Sequence, residues 1–167
     1  MTQPSHVLGI DPGKSGGLAL LDLNLRKIHT IWDTPTKDGK VYPEGISMVI
    51  DLAKSIASAN IVAVIENVSS RPRQAGMWTF AVGVGVIYGC LAAHGIPLNF
   101  VQPAAWKSAC GLRRLTTETQ ADTKTKAREL AARLFPESAD LFRRVRDDGR
   151  AESVLIGRFL AVKNGWF

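Results

Sequence analysis

Cysteine is scarce in this sequence, and long apolar runs and a signal peptide are absent from it. Its two cysteines, Cys90 and Cys110, stand far apart, so they indicate neither a disulfide framework nor a cysteine-based zinc site. No apolar run reaches the roughly 18 residues that a transmembrane helix needs. We therefore expect a protein of a reducing compartment, the cytoplasm.

The composition is that of an ordinary globular chain with an excess of positive charge. Of the 167 residues, 46% are hydrophobic and 22% are charged, which fits one domain with a substantial core. Lysine and arginine outnumber the acids and give a net charge of +6. A polyanionic partner such as nucleic acid is one interpretation of this charge, and a solvated basic surface is the other.

An acid and a glycine-rich turn follow the first apolar segment. Residues 7–10 are too few for a helix and predict a buried strand, because Pro12 and Gly13 punctuate the chain directly afterwards. Asp11 then lies at the carboxyl end of this strand, where a poorly solvated carboxylate needs a partner, usually a cation. A turn or capping residue is the alternative. A P-loop is excluded, because the spacing from Gly9 to Gly13 is one residue too short.

Apolar periodicity predicts an α/β fold with a mixed sheet. Further strands are predicted at residues 18–23, 27–32, 61–65 and 97–101. The first two of these continue the opening strand as an antiparallel meander. Helices are predicted at residues 44–59, 78–94, 103–111, 119–135 and 148–162. The polar segment 34–43 is expected to be a loop, and residues 1–167 a single domain.

The helix predicted at residues 78–94 is rich in small residues. Gly83, Gly85 and Gly89 each weaken a helix by about 1 kcal/mol relative to alanine. A helix that keeps these glycines can use the missing side chains for close packing against another helix. We therefore expect this helix to form a homodimer face.

Four acids are placed so that they can meet. Asp11 and Glu66 each end a predicted strand, and a parallel arrangement of those strands brings the two ends side by side. Asp148 and Glu152 open the last predicted helix four residues apart, so both lie on one face, which continues into apolar positions. Capping explains one acid here but less easily two, because the helix dipole contributes only about 0.3–1 kcal/mol.

Together these acids indicate a site for two hard divalent cations. Close carboxylates raise one another's pKa unless cations offset their charge. Oxygen-only ligands suit Mg²⁺ or Mn²⁺ better than zinc. Two such ions about 3.5–4 Å apart stabilise both the attacking and the leaving oxygen of phosphodiester hydrolysis. The histidines His6, His29 and His94 show no mutual spacing for a ligand set, and no metal is assigned to them.

Basic residues follow these acids along the chain. No Asp or Glu occurs from Asn67 to Thr117, and the cations of that stretch would form a surface that holds a phosphate backbone. Chance depletion within an apolar region is the alternative. Tryptophans could stack on bases, but Trp106 is expected in the core. The residues predicted to bind DNA are Lys14, Arg71, Arg73, Lys107, Arg113, Arg114, Lys126 and Arg150.

The chain resembles the RuvC family of Holliday junction resolvases through GIDPGKSGGLALLD, VIEN and DDGRAESVLIGRFLA. It is most similar to the chloroplast and phage-type branch through QPAAWK, ARELAARLFP and DDGRAES, and the similarity covers nearly the whole chain. The resemblance implies a ribonuclease H-like, five-stranded mixed sheet flanked by helices. It also implies a homodimer that cuts two opposed strands of a four-way DNA junction. The small size without a targeting segment favours the cytoplasm of a bacterium or of a phage-infected host.

The resemblance also implies which residues do the chemistry. The family's metal-binding positions fall on Asp11, Glu66, Asp148 and Glu152. Asp147 is the competing assignment for Asp148. Lys124 matches a lysine that lies near the cleaved phosphate in the chloroplast branch, which implies a supporting electrostatic role. The expected mechanism is in-line attack of a metal-bound water on phosphorus, leaving a 5′-phosphate and a 3′-hydroxyl.

Two departures from the family concern contacts with bases. Bacterial members carry a wedge phenylalanine shortly after the strand-end glutamate, where this chain has SSRPR at residues 69–73. The aromatic residue among the glycines of the chloroplast relatives is replaced here by Val82 and Val84. The base preference at the cut is therefore not carried over.

Other functions remain as alternatives. A nuclease of the same fold could act on branched or linear DNA or on RNA–DNA hybrids. A junction-binding protein without activity is disfavoured, because all four acids are present. An actin-like or sugar-kinase-like ATPase also opens with an acid and a glycine-rich turn, but it needs a second domain for which 167 residues leave no room.

Overall fold

A mixed five-stranded sheet forms the centre of the computed structural model, which describes residues 3–67 and 76–167. Its strands are β1 (His6–Asp11), β2 (Gly17–Asp22), β3 (Lys27–Asp33), β6 (Ile61–Glu66) and β7 (Leu98–Val101). The order across the sheet is β3-β2-β1-β6-β7. The first three strands pair antiparallel as a meander, while β6 and β7 are parallel to β1. The predicted mixed sheet and its meander are confirmed.

The described residues form five α-helices around the sheet, each near its predicted place. They are α1 (Pro43–Ile56), α2 (Met77–Ala93), α3 (Pro103–Ala109), α4 (Gln120–Leu134) and α5 (Asp148–Lys163). A capping box starts α4. The Asp122 backbone N–H donates to the Thr119 hydroxyl oxygen, and the Thr119 backbone N–H donates to the Asp122 carboxylate. Short 3₁₀ turns at Pro136–Phe142 and Val145–Asp147 lead into α5. None of the described helices is long and apolar enough to cross a bilayer.

The sheet divides the interior into two apolar layers. Alternate residues of a strand point to opposite faces, so Val7 faces α5 and α4 while Leu8 and Ile10 face α1 and α2. The central strands β1 and β6 are buried on both faces, which explains their continuous apolar runs. The site at their ends is therefore held by the most buried part of the fold.

Glycines let α5 lie unusually close to β1 and its following turn. A Cβ on Gly9 would come within 2.2 Å of the Ser153 carbonyl oxygen and 2.6 Å of the Gly157 nitrogen. A Cβ on Gly149 would come within 2.4 Å of the Ser15 carbonyl oxygen. Any larger residue at these positions would push the helix away from the strand. This close approach places the first turn of α5 beside the end of β1.

The segment at 34–43, expected to be a loop, differs from the structure. It contains a short hairpin of β4 (Thr36–Lys37) and β5 (Lys40–Val41). Asp38 and Gly39 form its turn, and both have positive φ, as a two-residue hairpin turn requires. The Asp-Gly pair was the sequence signal for this hairpin. The helix predicted at 44–59 ends earlier, at Ile56, because Ser58 and Ala59 adopt left-handed backbone conformations.

Candidate active site

A cleft of about 360 Å³ opens at the carboxyl ends of β1 and β6. All four acids predicted as metal ligands line it, and Asp147 does not. Lys107 and Lys124 line it as well. The full set is Asp11, Pro12, Ser15, Glu66, Phe80, Lys107, Gln120, Thr123, Lys124, Arg146, Asp148, Gly149 and Glu152. The structure therefore brings together residues from six separate parts of the sequence.

The two strand-end acids lie side by side because β1 and β6 run parallel in register. Ile10 pairs with Ile65, so the residues that follow them, Asp11 and Glu66, come next to each other at the edge of the sheet. Glu66 is only 6% exposed, and its Oε1 accepts a hydrogen bond of 2.7 Å from the indole Nε1 of Trp106. This bond fixes the carboxylate while leaving Oε2 without a hydrogen bond from Trp106.

Trp106 lies in the core, as expected, but it also has a polar function that sequence reasoning missed. Its side chain is fully buried, and a buried indole N–H needs an acceptor. Glu66 supplies that acceptor across the end of β6. No local sequence signal indicates this contact, because Glu66 lies forty positions before Trp106. Trp106 therefore orients an acid of the site from within the core.

Basic side chains partner the two acids that α5 contributes. Lys107 Nζ lies 3.6 Å from Glu152 Oε2, and Lys124 Nζ lies 3.0 Å from Asp148 Oδ2. Arg128 forms a further ion pair with Asp148. The helices α3 and α4 thus bring positive charge against the acids of α5, which lowers the electrostatic cost of gathering four carboxylates in one cleft.

Burial and mutual repulsion act on the acids at the centre of the cleft. Burial raises the pKa of Asp11 well above its ordinary value, and the nearby carboxylates of Glu152 and Glu66 raise it further. Burial also raises the pKa of Glu152, although the Lys107 ammonium opposes the shift. A raised carboxyl pKa means that the charged form is disfavoured unless a cation compensates it. The centre of the cleft is therefore suited to binding cations.

The donor set of the cleft fits hard divalent cations such as Mg²⁺ or Mn²⁺, because it consists of carboxylate oxygens. The four acids do not form a closed ligand set, however. A closed set has three or more His, Cys, Asp or Glu side chains whose ligand atoms all lie within 4.8 Å of one another. Among the described residues, His6, Asp22 and His29 meet this condition, at the other end of the sheet. In the cleft, lysine contacts hold Asp148 and Glu152 instead.

Asp147 lies outside the cleft and has its own partner. It is 1% exposed, and its carboxylate accepts hydrogen bonds of 2.8 Å from the Arg144 backbone N–H and from Arg144 Nη2. Although burial acts in the opposite direction, these bonds from Arg144 lower the pKa of Asp147. Asp147 lines a neighbouring groove with Lys14 and Arg150. Geometry therefore favours Asp148 as the fourth acid of the cleft.

The residues predicted to bind DNA are distributed over several places. Lys107 lines the cleft, and Lys14 and Arg150 line the neighbouring groove. Arg150 is engaged there with Asp33, with Nη2 2.7 Å from Oδ2. Lys126 is paired with Glu118 away from the cleft.

The other predicted DNA contacts do not line the cleft or lie outside the described residues. Arg113 and Arg114 are exposed and do not line the cleft. Arg71 and Arg73, with the whole segment 69–73, lie outside the described residues. Arg146 lines the cleft but was not singled out as a DNA contact, because its neighbours in sequence gave it no distinctive spacing.

Comparison with known proteins identifies relatives by structure only. No protein-family model and no curated protein matches the chain. "T. thermophilus RuvC in complex with Holliday junction substrate" is similar over 96% of this chain and 97% of that chain, with a TM-score of 0.62 and 14% identity. The Thermus thermophilus RuvC structure gives a TM-score of 0.60 and 14% identity over 96% of both chains. The yeast mitochondrial Holliday junction resolvase, Ydc2, gives 0.51 and 18%, over 94% of this chain and 78% of that chain.

These similarities establish the fold class. The mixed five-stranded sheet with flanking helices is the ribonuclease H-like fold of RuvC, as the sequence predicted. The resemblance to RuvC is thereby confirmed at the level of the fold. The assignment to the chloroplast and phage-type branch stays a prediction.

Replacing Asp11 by asparagine is expected to stabilise the metal-free protein at neutral pH. Because the pKa of Asp11 is raised in the folded state above its ordinary 3.8, the folded protein binds this proton more tightly than the unfolded chain. Stability is therefore lost as pH rises through the unfolded value towards the folded one, at about 1.4 kcal/mol per pKa unit of difference. Asp11→Asn removes that loss, so urea unfolding in a chelator at pH 7 should show a higher free energy of unfolding.

The matched control is Asp38→Asn, an exposed acid in the β4–β5 turn where asparagine tolerates the positive φ. It should leave the free energy of unfolding nearly unchanged. The advantage of Asp11→Asn should vanish below about pH 4, where the carboxyl is protonated in both states. An Asp11→Asn variant that is no more stable than wild type at pH 7 would contradict the electrostatic account.

Proposed function

We propose that this chain is a structure-selective endonuclease that resolves four-way DNA junctions by two symmetric, metal-dependent phosphodiester cuts. The observation that carries the proposal is the convergence of Asp11, Glu66, Asp148 and Glu152 in one cleft at the carboxyl ends of β1 and β6. The RuvC fold and the Holliday junction bound to one structural relative support the choice of substrate. The products would carry a 5′-phosphate and a 3′-hydroxyl.

The four acids would hold two Mg²⁺ or Mn²⁺ ions. Bound there, the ions would supply an activated water and stabilise the charge that develops on the phosphate oxygens. Asp11 would hold cations together with Glu66 and Glu152, whose carboxylates lie near enough to raise its pKa. Glu66 is held in its orientation by Trp106. Asp148 and Glu152 present their carboxylates from consecutive turns of α5.

Lys124 would act on the phosphate as well as on Asp148. Its ammonium lies 3.0 Å from Asp148 Oδ2 and is partly exposed to the cleft. A scissile phosphate that enters the cleft would meet this charge together with Lys107 and Arg146. Positive charge at the developing phosphorane stabilises the transition state, so Lys124 has a supporting electrostatic role.

The proposed enzyme acts as a homodimer through α2. The helix carries no charged residue from Met77 to Ala93, yet its buried residues are only Gly83, Ile87 and Leu91. Trp78 is 80% exposed and Val82 47%. Burial of such an exposed apolar helix face against a partner is favourable. A second copy of the chain would bury it and would present two active sites to the two opposed strands.

The activity is tested with a labelled four-way junction and a linear duplex of the same sequence in Mg²⁺. Wild type should make symmetric nicks in the junction only. Asp11→Asn should lower the single-turnover cleavage rate by about 1,000-fold or more, because several kcal/mol of metal-ion stabilisation are lost, and should still bind the junction. Asp38→Asn should cleave like wild type.

The other outcomes separate the alternatives. Equal cutting of the linear duplex would leave a nuclease and remove the junction assignment. Tight junction binding without cutting by wild type would identify a non-catalytic binding protein. Products that need added phosphate before a ligase can rejoin them would overturn the proposed 5′-phosphate polarity.

A second comparison distinguishes the two adjacent acids before α5. Asp148→Asn should lower the single-turnover rate about 100-fold or more, because Asp148 lies in the cleft. Asp147→Asn should cleave at nearly the wild-type rate but unfold more easily, by about 1–3 kcal/mol, because the Arg144 contacts of a buried acid are weakened. The reverse pattern of rates would assign the metal to Asp147.

The dimer is tested by sedimentation of Gly85→Leu. Outside its own helix backbone, a Cβ on Gly85 meets no atom of residues 3–67 and 76–167 within 4 Å, so we expect the leucine to be accommodated in the monomer and to clash with a partner. We expect the variant to sediment as a monomer at concentrations where wild type is dimeric, while its circular dichroism stays native. Gly85→Ala is the matched control. A Gly85→Leu variant that remains an intact dimer would contradict the α2 interface.

A further inference from the structure

Three side chains with metal-binding groups meet at the end of the sheet opposite the cleft. His6 opens β1, Asp22 ends β2 and is its register partner, and His29 lies on β3. The ligand atoms of the three side chains lie within 4.8 Å of one another. His6 is 7% exposed and Asp22 8%, whereas His29 is exposed. Five residues of extended strand separate His6 from Asp11, a distance of about 17 Å.

A β-bulge contributes His29 to this group. The register of β2 with β3 passes from Leu20–Thr30 to Leu21–Ile28, so β3 has one extra residue at this point, His29. Bulges re-aim a side chain that regular pleating would direct elsewhere. The rings of His6 and His29 consequently lie 5.6 Å apart between centroids. Sequence spacing could not indicate the group, because the meander brings its members together.

The hydrogen bonds of Ser5 favour one tautomer of His6. The Ser5 hydroxyl lies 2.8 Å from the Asn60 oxygen, 3.3 Å from the Ala57 oxygen and 2.9 Å from His6 Nδ1. When its single hydrogen is donated to a carbonyl, it accepts from His6 Nδ1, and Nε2 of the neutral ring is then a bare acceptor. That buried atom has no hydrogen-bond partner among the described residues.

The free oxygen of Asp22 faces this bare nitrogen. Asp22 Oδ1 accepts the backbone N–H groups of Asn24 and Leu25, each at 2.9 Å. Its Oδ2 lies 3.8 Å from His6 Nε2, too far for a hydrogen bond. Two buried acceptors that face each other without a proton between them cost free energy, and a cation between them converts the cost into two bonds.

We propose that His6, Asp22 and His29 form a second metal site, which takes a borderline transition-metal dication, Zn²⁺, as a structural clamp across β1, β2 and β3. Two imidazoles and one carboxylate suit Zn²⁺ better than Mg²⁺. Tetrahedral ligands at zinc lie about 3.4 Å apart, close to the 3.8 Å between His6 and Asp22. The exposed His29 ring closes the remaining distance by rotation, and water completes the shell. The Ser5–His6 bond is the outer-shell contact that such ligands use.

The site is tested by titrating the metal-free full chain with Zn²⁺ against a chromophoric chelator, with Co²⁺ absorption as the report on imidazole ligands. Excess Mg²⁺ occupies the oxygen-only cleft, and the titration is repeated in Asp11→Asn. We expect one Zn²⁺ per chain in both proteins. His29→Gln should weaken Zn²⁺ binding more than about tenfold, and Ser5→Ala by about 10–100-fold. His94→Gln, which removes a histidine that is paired with Asp51 and is not a member of the group, is the control and should bind like wild type.

Each other outcome overturns the site. Zn²⁺ binding that survives His29→Gln but disappears in Asp11→Asn would place the ion in the cleft. The absence of stoichiometric Zn²⁺ binding would leave His6 and Asp22 as a structural pair. Because His29 is exposed, His29→Gln folds as wild type does, and its circular dichroism and its unchanged melting temperature in chelator verify this. Zn²⁺ should raise the melting temperature of wild type and of His94→Gln but not of His29→Gln.

Discussion

Repulsion among the buried and half-buried carboxylates of the cleft is the constraint on which this end of the fold depends. Asp11 and Glu66 are forced together by the parallel pairing of β1 and β6, and α5 adds two more acids. The chain offsets this charge with specific contacts, an indole N–H on Glu66 and lysine ammoniums on the acids of α5. The compensation is incomplete, because the pKa values of Asp11 and Glu152 stay raised, and these raised values mark the remaining charge deficit. Metal ions would remove that deficit, and so the energetic cost of the apo site becomes affinity for cations.

Packing and electrostatics are coupled through the glycines of β1 and α5. The acids of α5 reach Asp11 only because the helix lies within backbone contact of Gly9. A Cβ at Gly9 or at Gly149 would move the first turn of α5 away and weaken the charge coupling together with the packing. The same residues therefore determine the stability of the core and the geometry of the cleft. Gly9, which does not line the cleft, therefore helps to position the acids that do.

Sequence patterns predicted the sheet and the position of all four acids, because strand-end acids and a four-residue helical spacing are local features. They could not decide between Asp147 and Asp148, since adjacent residues differ only in which side of the helix start they face. The contact of Trp106 with Glu66 joins residues forty positions apart, and the pairing of Arg150 with Asp33 spans more than a hundred. Such partners are set by tertiary packing, so a basic residue in sequence is not necessarily a free cation in the fold. The Asp38–Gly39 hairpin, in contrast, was readable and was missed.

The two ends of β1 carry different ligand chemistry, so the two proposed metal sites would be compatible in one small domain. At the carboxyl end the side chains that would hold a metal offer oxygens alone, and lysines compete for them, which would favour weakly held Mg²⁺ that a phosphate can share. At the amino end a buried imidazole nitrogen faces one carboxylate oxygen, so a dication there would meet a single negative charge. The softer nitrogen ligands would select zinc and disfavour magnesium. Exchange of ions between the two proposed sites would thus be limited by ligand type as well as by distance.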